Sequence, residues 1–105
     1  MNFKELADKI GLDEEDYREL IDLFLETGRA DYDQLKSAFT AGDNEQVARS
    51  AHTISGASGN LGLMNIHEVA KRIELTAMDK DLDAIDGDLK MLKGFFDDLA
   101  KVVQG

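Results

Sequence analysis

The sequence of 105 residues contains no cysteine and no proline. Without cysteine, the chain cannot form disulfides, thiolate metal sites or a cysteine nucleophile. Without proline, nothing forces a break in a helix, and helix-favouring residues such as alanine, leucine, glutamate and lysine are plentiful. The lack of proline and the helix-favouring composition predict an all-α protein, and the lack of cysteine excludes disulfide cross-links.

Basic residues are few, with 12 Lys plus Arg against 22 Asp plus Glu and a formal net charge of −10. Nucleic acid and anionic lipid repel such a surface, so we expect neither nucleic acid nor membrane as a partner. No apolar run is long enough to span a bilayer, and the first ten residues do not resemble a signal peptide. We therefore predict a cytoplasmic protein with protein partners, folded as a single domain over residues 1–105.

Apolar residues recur at helical spacing in five stretches that are separated by capping or turn residues. The second helix is long, and Gly28 in its interior indicates a bend or a close helix contact. The first predicted helix ends at Gly11, and the second runs from Asp13 to Gly42. The third begins with a capping box formed by Asp43 and Gln46 and ends near Gly62. The fourth spans Ile66 to Ala77, and the last begins at Leu82. Short connections favour antiparallel neighbours, which predicts an up-down four-helix bundle with a short additional N-terminal helix.

His52 lies on the outward face of the third predicted helix. With about 100° per residue, Val47, Ala51 and Ile54 share one arc that faces the core, whereas His52 falls at about 140° from Val47. The same projection places Gly56 and Gly59 beside the histidine, and each glycine costs about 1 kcal/mol relative to alanine in a helix interior. Because glycine removes every obstructing side-chain atom, we interpret Gly56 and Gly59 as clearing the approach of a partner to the imidazole.

The segment from Ala51 to Gly62 resembles the phosphohistidine motif of histidine phosphotransfer (HPt) domains, usually written H-x-x-K-G-x-x-x-x-x-G. His52, Gly56 and Gly62 match this motif. Helix order, chain length and the pair Ile73-Glu74 in the next helix are similar to the family as well. The resemblance implies a helical bundle that accepts a phosphoryl group on His52 from a receiver-domain aspartate and passes it to another receiver.

One position departs from the family pattern, because Ser55 stands where a lysine is usual. A cation that commonly lies near the phosphoryl group is therefore absent. Ser55 can still donate a hydrogen bond, and Arg49, Lys71 or Arg72 are candidates to supply the missing positive charge.

The resemblance also implies how the chemistry is divided. The nucleophile is expected to be the Nε2 atom of His52, while the receiver supplies an acidic pocket and Mg²⁺. The chain itself is then a monomeric phosphoryl carrier and not an enzyme, with no metal and no cofactor of its own. Apolar residues around the exposed helix are expected to dock the receivers, which belong to response regulators or hybrid histidine kinases.

Other functions are less consistent with the residues. A di-iron bundle needs Glu-x-x-His pairs, but Arg49 and Met64 stand three residues before His52 and His67. An EF-hand starting at Asp79 would have Ala84 and Lys90 at its glycine and glutamate positions. An acyl carrier protein would need an Asp-Ser-Leu triplet, which does not occur. The remaining alternative is an HPt-like module that docks a receiver or kinase without sustained phosphotransfer. We interpret His67 as a structural residue.

Overall fold

A computed structural model of the chain describes residues 2–104 and is all-helical over this range. Met1 and Gly105 of the predicted domain lie outside the described residues. The elements are α1 (Phe3–Lys9), α2 (Glu14–Ala41), α3 (Asn44–Asn60), α4 (Met64–Met78), a 3₁₀-helix (Leu82–Ile85) and α5 (Asp86–Gln104). The predicted all-α class and the five helical stretches are confirmed.

Helix ends follow the capping residues in the sequence. The carboxylate of Asp13 accepts a hydrogen bond from the backbone N–H of Asp16 and so satisfies one of the free donors at the start of α2. Gly42 ends α2 with a φ of +73°, and Gly62 follows α3 with a φ of +75°. Residues with a Cβ atom rarely adopt this left-handed backbone conformation, which explains why glycine stands at both turns.

The predicted capping box at the start of α3 forms only in part. Asp43 accepts from the backbone N–H of Gln46, as predicted. The side chain of Gln46 does not return the bond; it donates to the hydroxyl of Ser50 at 2.9 Å, and the backbone N–H of Asp43 bonds to the carbonyl of Ala38. Because the end of α2 already accepts from the backbone N–H of Asp43, this N–H is not available for the second bond of the capping box, the bond to the side chain of Gln46.

The first turn of the last predicted helix is a 3₁₀-helix and not α-helix. The residues concerned are Leu82 to Ile85, and α5 begins only at Asp86. Buried Ile85 lies three residues after half-buried Leu82, a spacing that fits a 3₁₀ turn as well as an α turn. Apolar periodicity therefore could not distinguish the two.

The four long helices bury one continuous apolar core. Helix α3 packs against α2 and α4, and α5 packs against the same two helices. The side chain of Tyr17 links α2 to the end of α3 by donating to the carbonyl of Leu61, and burial raises the pKa of this phenol. Helix α3 therefore has one neighbour on each side, and only its outer face remains open. Within the described residues, none of the helices has the length and apolar character needed to cross a membrane.

Gly28 is a close helix contact and not simply a weak point in α2. A Cβ atom built there would lie 2.8 Å from Cε1 of Phe96, which is itself buried and stacked on Phe24 with 5.6 Å between the ring centroids. Gly94 of α5 is also a helix-interior glycine, but a Cβ built there has no described atom within 4 Å outside its own helix backbone and chain neighbours. A side chain at Gly28 would therefore collide with the core, whereas a Cβ atom at Gly94 would meet only open space.

We expect alanine at these two positions to change stability in opposite directions. Gly28→Ala should lower the free energy of unfolding by about 1 kcal/mol, because overpacking against Phe96 outweighs the better helix propensity of alanine. Gly94→Ala should raise it by about 0.5–1 kcal/mol, because only the propensity changes. Denaturant unfolding followed by circular dichroism measures both, and stabilisation by Gly28→Ala would contradict the contact described here.

Candidate functional site

The outward orientation predicted for His52 is confirmed. Val47, Ala51, Ile54 and Ser58 of α3 are buried, as the projection predicts. The side chain of His52 is 69% exposed, on the face of α3 that no other helix covers. Its imidazole is therefore accessible to another molecule.

One ring nitrogen of His52 is already bonded. Nδ1 lies 3.0 Å from Oε2 of Glu74, which projects from α4 and is only 12% exposed. An ionised carboxylate can only accept, so Nδ1 must carry the hydrogen. In the neutral imidazole the other nitrogen, Nε2, then holds the free lone pair. In this arrangement Nε2 is the ring nitrogen with a lone pair that is free to bind another atom.

Lys71 is the cation that the structure brings to this pair. Its Nζ atom lies 3.4 Å from Oε1 of Glu74, the second oxygen of the carboxylate that binds His52. Lys71 itself remains exposed. Glu74 therefore bridges the imidazole of His52 and the positive charge of Lys71, and both Glu74 and Lys71 belong to α4, which packs against α3.

Arg49 and Arg72, the other two predicted cations, have partners elsewhere. The guanidinium of Arg49 bonds to Glu45 one turn earlier on the exposed surface of α3. Arg72 forms two hydrogen bonds to Asp88 of α5, at 3.0 and 2.7 Å, and this bonding raises the pKa of Arg72. Neither arginine contacts the His52–Glu74 pair.

The glycines that were predicted to clear the approach to His52 differ from one another. A Cβ built on Gly56 has no atom within 4 Å among the described residues, apart from its own helix backbone and chain neighbours. A Cβ built on Gly59 would lie 2.9 Å from Nδ1 of His67. Gly56 therefore leaves open space beside the histidine, whereas the interpretation of Gly59 as an access residue is wrong, because the side chain of His67 occupies that space. Gly62 contributes the turn after α3 and not an open surface.

Ser55 also lies away from the open face. It is 4% exposed, and its hydroxyl lies 3.1 Å from Nδ1 of His67. The same nitrogen lies 2.8 Å from the carbonyl oxygen of Ser55, so Nδ1 carries the proton and donates to that carbonyl. His67 thus joins α4 to α3 over Gly59, which agrees with its interpretation as a structural residue.

Glu74 contacts His52 in the candidate site, but the sequence analysis did not select it as a site residue. The signal was present, because His67, Lys71 and Glu74 are spaced four and three residues apart and so share one face of α4. All three contact either α3 or the carboxylate that binds His52. Within residues 2–104, no group of three or more metal-ligating side chains is clustered closely enough to hold a metal ion.

Comparison with known proteins agrees with this arrangement. The family model described as Hpt domain matches residues 19–104 of the chain. No curated protein matches it by sequence. The crystal structure of histidine-containing phosphotransfer protein B (HptB) from Pseudomonas aeruginosa PAO1 is similar in fold, with a TM-score of 0.86 and 22% sequence identity, over 99% of this chain and 90% of that one. Since the family model covers most of the chain, the protein belongs to the Hpt domain family and has a histidine phosphotransfer role.

Proposed function

We propose that His52 is the residue that carries the phosphoryl group, and that Nε2 is the atom that binds it. The observation that carries this proposal is a 69% exposed imidazole whose Nδ1 donates to Glu74, which leaves the free lone pair on Nε2. The open space at Gly56 gives a second protein room to approach.

In the proposed reaction, Nε2 attacks the phosphorus of a receiver's aspartyl phosphate in line with the P–O bond that breaks. The aspartate leaves as a carboxylate with the electron pair of that bond, and the reverse step delivers the group to another receiver. Positioning and charge neutralisation supply most of the catalysis in phosphoryl transfer. The receiver provides its acidic pocket and Mg²⁺, so this chain contributes a nucleophile and a docking surface.

The docking surface we propose surrounds the open face of α3. The helices on either side of α3 carry exposed apolar side chains, including Leu23 on α2 and Leu75 and Met78 on α4. Exposed apolar side chains of this kind commonly form the core of a transient protein interface, with charged residues at the rim. Receivers of response regulators or hybrid kinases are the partners that match an aspartyl phosphate donor.

Transfer from purified phosphorylated receivers tests the proposal directly. The chain should acquire label from at least one receiver and return it to a second. A docking module without sustained transfer would bind the phosphorylated receiver and acquire no label. That outcome would exclude the carrier function, because binding and labelling are measured separately.

We also propose that Lys71 replaces the cation that the family has at position 55. Lys71→Gln should slow transfer from a receiver by less than about tenfold, because an exposed charge contributes only about 0–1 kcal/mol. Lys90→Gln removes the same charge from α5, where Lys90 pairs with Asp86, and should leave the rate unchanged. Equal rates for both variants and the unchanged chain would contradict the role of Lys71.

The remaining architecture is proposed on the same basis. Helices α2 to α5 form an up-down antiparallel bundle, supported by the packing of α3 and α5 each against α2 and α4. Helix α1 covers one end, supported by the edge-on contact of Phe3 with Tyr17. The chain then acts as one monomeric domain over residues 1–105, in the cytoplasm where receivers are found.

A further inference from the structure

The carboxylate of Glu74 contacts His52 at Nδ1, the ring nitrogen that is not proposed to bind the phosphoryl group. The carboxylate of Glu74 is nearly buried, and its second oxygen lies 3.4 Å from Nζ of Lys71. It is therefore held on α4 at the Nδ1 edge of the imidazole, away from the nitrogen proposed to carry the phosphoryl group. Resting on the proposed function, we infer that Glu74 makes the phosphohistidine a reactive and short-lived phosphoryl donor.

The chemical reason is the charge on the leaving group. When the P–N bond breaks, its electron pair goes to Nε2. If Nδ1 carries a hydrogen, the ring leaves as neutral imidazole; if Nδ1 is bare, it must leave as an imidazolide anion, which is a much poorer leaving group. Phosphoryl transfer through a loose transition state depends strongly on how readily this bond breaks.

Glu74 favours the form with the hydrogen on Nδ1. Before transfer, the neutral ring donates this hydrogen to the carboxylate. After Nε2 has bound phosphorus, the ring is an imidazolium, and the same bond joins a cation to an anion, which strengthens it. The Nδ1 hydrogen therefore stays in place throughout acceptance and donation, and neither step requires a proton to leave or return.

Other charges around the ring do not offer the same contact. On α4, Lys71 bonds to Glu74 and has the opposite sign. On α3 itself, Arg49 one turn earlier is paired with Glu45. On α2, Asp31 is half-buried and forms no hydrogen bond to His52 among the described residues, and Arg29 bonds to Asp97 of α5. Glu74 is the only carboxylate bonded to the imidazole among the described residues.

Glu74→Gln tests this role because glutamine keeps an acceptor oxygen and loses the charge. Phosphoramidate, a small donor that requires no receiver, can label His52 by losing ammonia as its P–N bond breaks. ³¹P NMR then follows the hydrolysis of the phosphohistidine. Near neutral pH the phosphohistidine of Glu74→Gln should persist about tenfold longer than in the unchanged chain, the difference expected between a charged and a neutral hydrogen bond.

Two controls separate this effect from other causes. Glu68→Gln removes one charge from the exposed surface of the same helix and should leave the lifetime unchanged. In mild acid the solvent protonates Nδ1 in every variant, so the advantage of Glu74→Gln should disappear. Equal lifetimes near neutral pH, or a difference that persists in acid, would overturn the inference.

Labelling by phosphoramidate and labelling by a receiver together distinguish a failure of this inference from a failure of the proposed function. A chain that phosphoramidate labels but no receiver labels would argue against the receiver as donor and leave the role of Glu74 intact. If phosphoramidate labels free histidine and not His52, the nucleophile assignment and this inference would both be overturned.

Discussion

Replacement of His52 by glutamine is expected to abolish labelling by any phosphorylated receiver. Glutamine carries an amide nitrogen whose lone pair is delocalised, so it has no nucleophile equivalent to Nε2. The fold should be unaffected, because the side chain is 69% exposed and glutamine favours helix about as well as histidine or better. The expected loss is complete, with an unchanged circular dichroism spectrum and unfolding midpoint.

The chemical stability of the label identifies the acceptor. A phosphohistidine is labile in acid and stable in base, whereas phosphoserine and phosphothreonine persist in acid. The matched control is His67→Gln, which removes the other histidine of the chain. Because His67 bonds to Ser55 and not to Glu74, this variant should still acquire acid-labile label. Acid-labile label on His52→Gln would show that another residue is the acceptor.

Much of the fold was predictable from local signals. Asp13, Asp43 and the left-handed glycines at 42 and 62 mark helix ends by hydrogen bonding and backbone conformation, which depend on only a few neighbouring residues. The orientation of His52 was predictable for the same reason, since one helix projection separates its buried and exposed faces. Only the reciprocal half of the capping box failed to form, because the N–H of Asp43 is already bonded to the end of the preceding helix. The 3₁₀ turn was not predicted because a three-residue apolar spacing fits a 3₁₀ turn and an α turn equally well.

The site could be predicted only in part, because it is built between two helices. A projection of α3 places Ser55, Gly59 and His52 within about 60° of one another and cannot show where α4 begins to cover that arc. In the structure α4 covers Ser55 and Gly59 through His67 and leaves His52 open. The partnership of His52 with Glu74 likewise depends on the axial register of α3 against α4, which no single-helix pattern contains.

Gly56→Leu should block transfer from a receiver and leave the fold intact. A Cβ atom at this position meets no described atom within 4 Å outside its own helix backbone and chain neighbours. We therefore expect leucine to fit there without unfolding the helix, and its helix propensity is better than that of glycine by about 0.8–1 kcal/mol. The new side chain stands on the open face one turn after His52, where the receiver must approach. A displacement of about 1 Å in a reacting pair can slow a reaction about a hundredfold, so we expect a decrease of at least that size in the transfer rate.

Two comparisons make this prediction specific to access. Labelling by phosphoramidate should change little in Gly56→Leu, because a small donor can reach Nε2 past a leucine that a protein cannot. Gly94→Leu places the same side chain on the open surface of α5 and should leave receiver transfer unchanged. If Gly56→Leu lowered the unfolding midpoint, or slowed phosphoramidate and receiver labelling equally, its effect would lie in the helix or the imidazole, and the open space beside His52 would have no role in recognition.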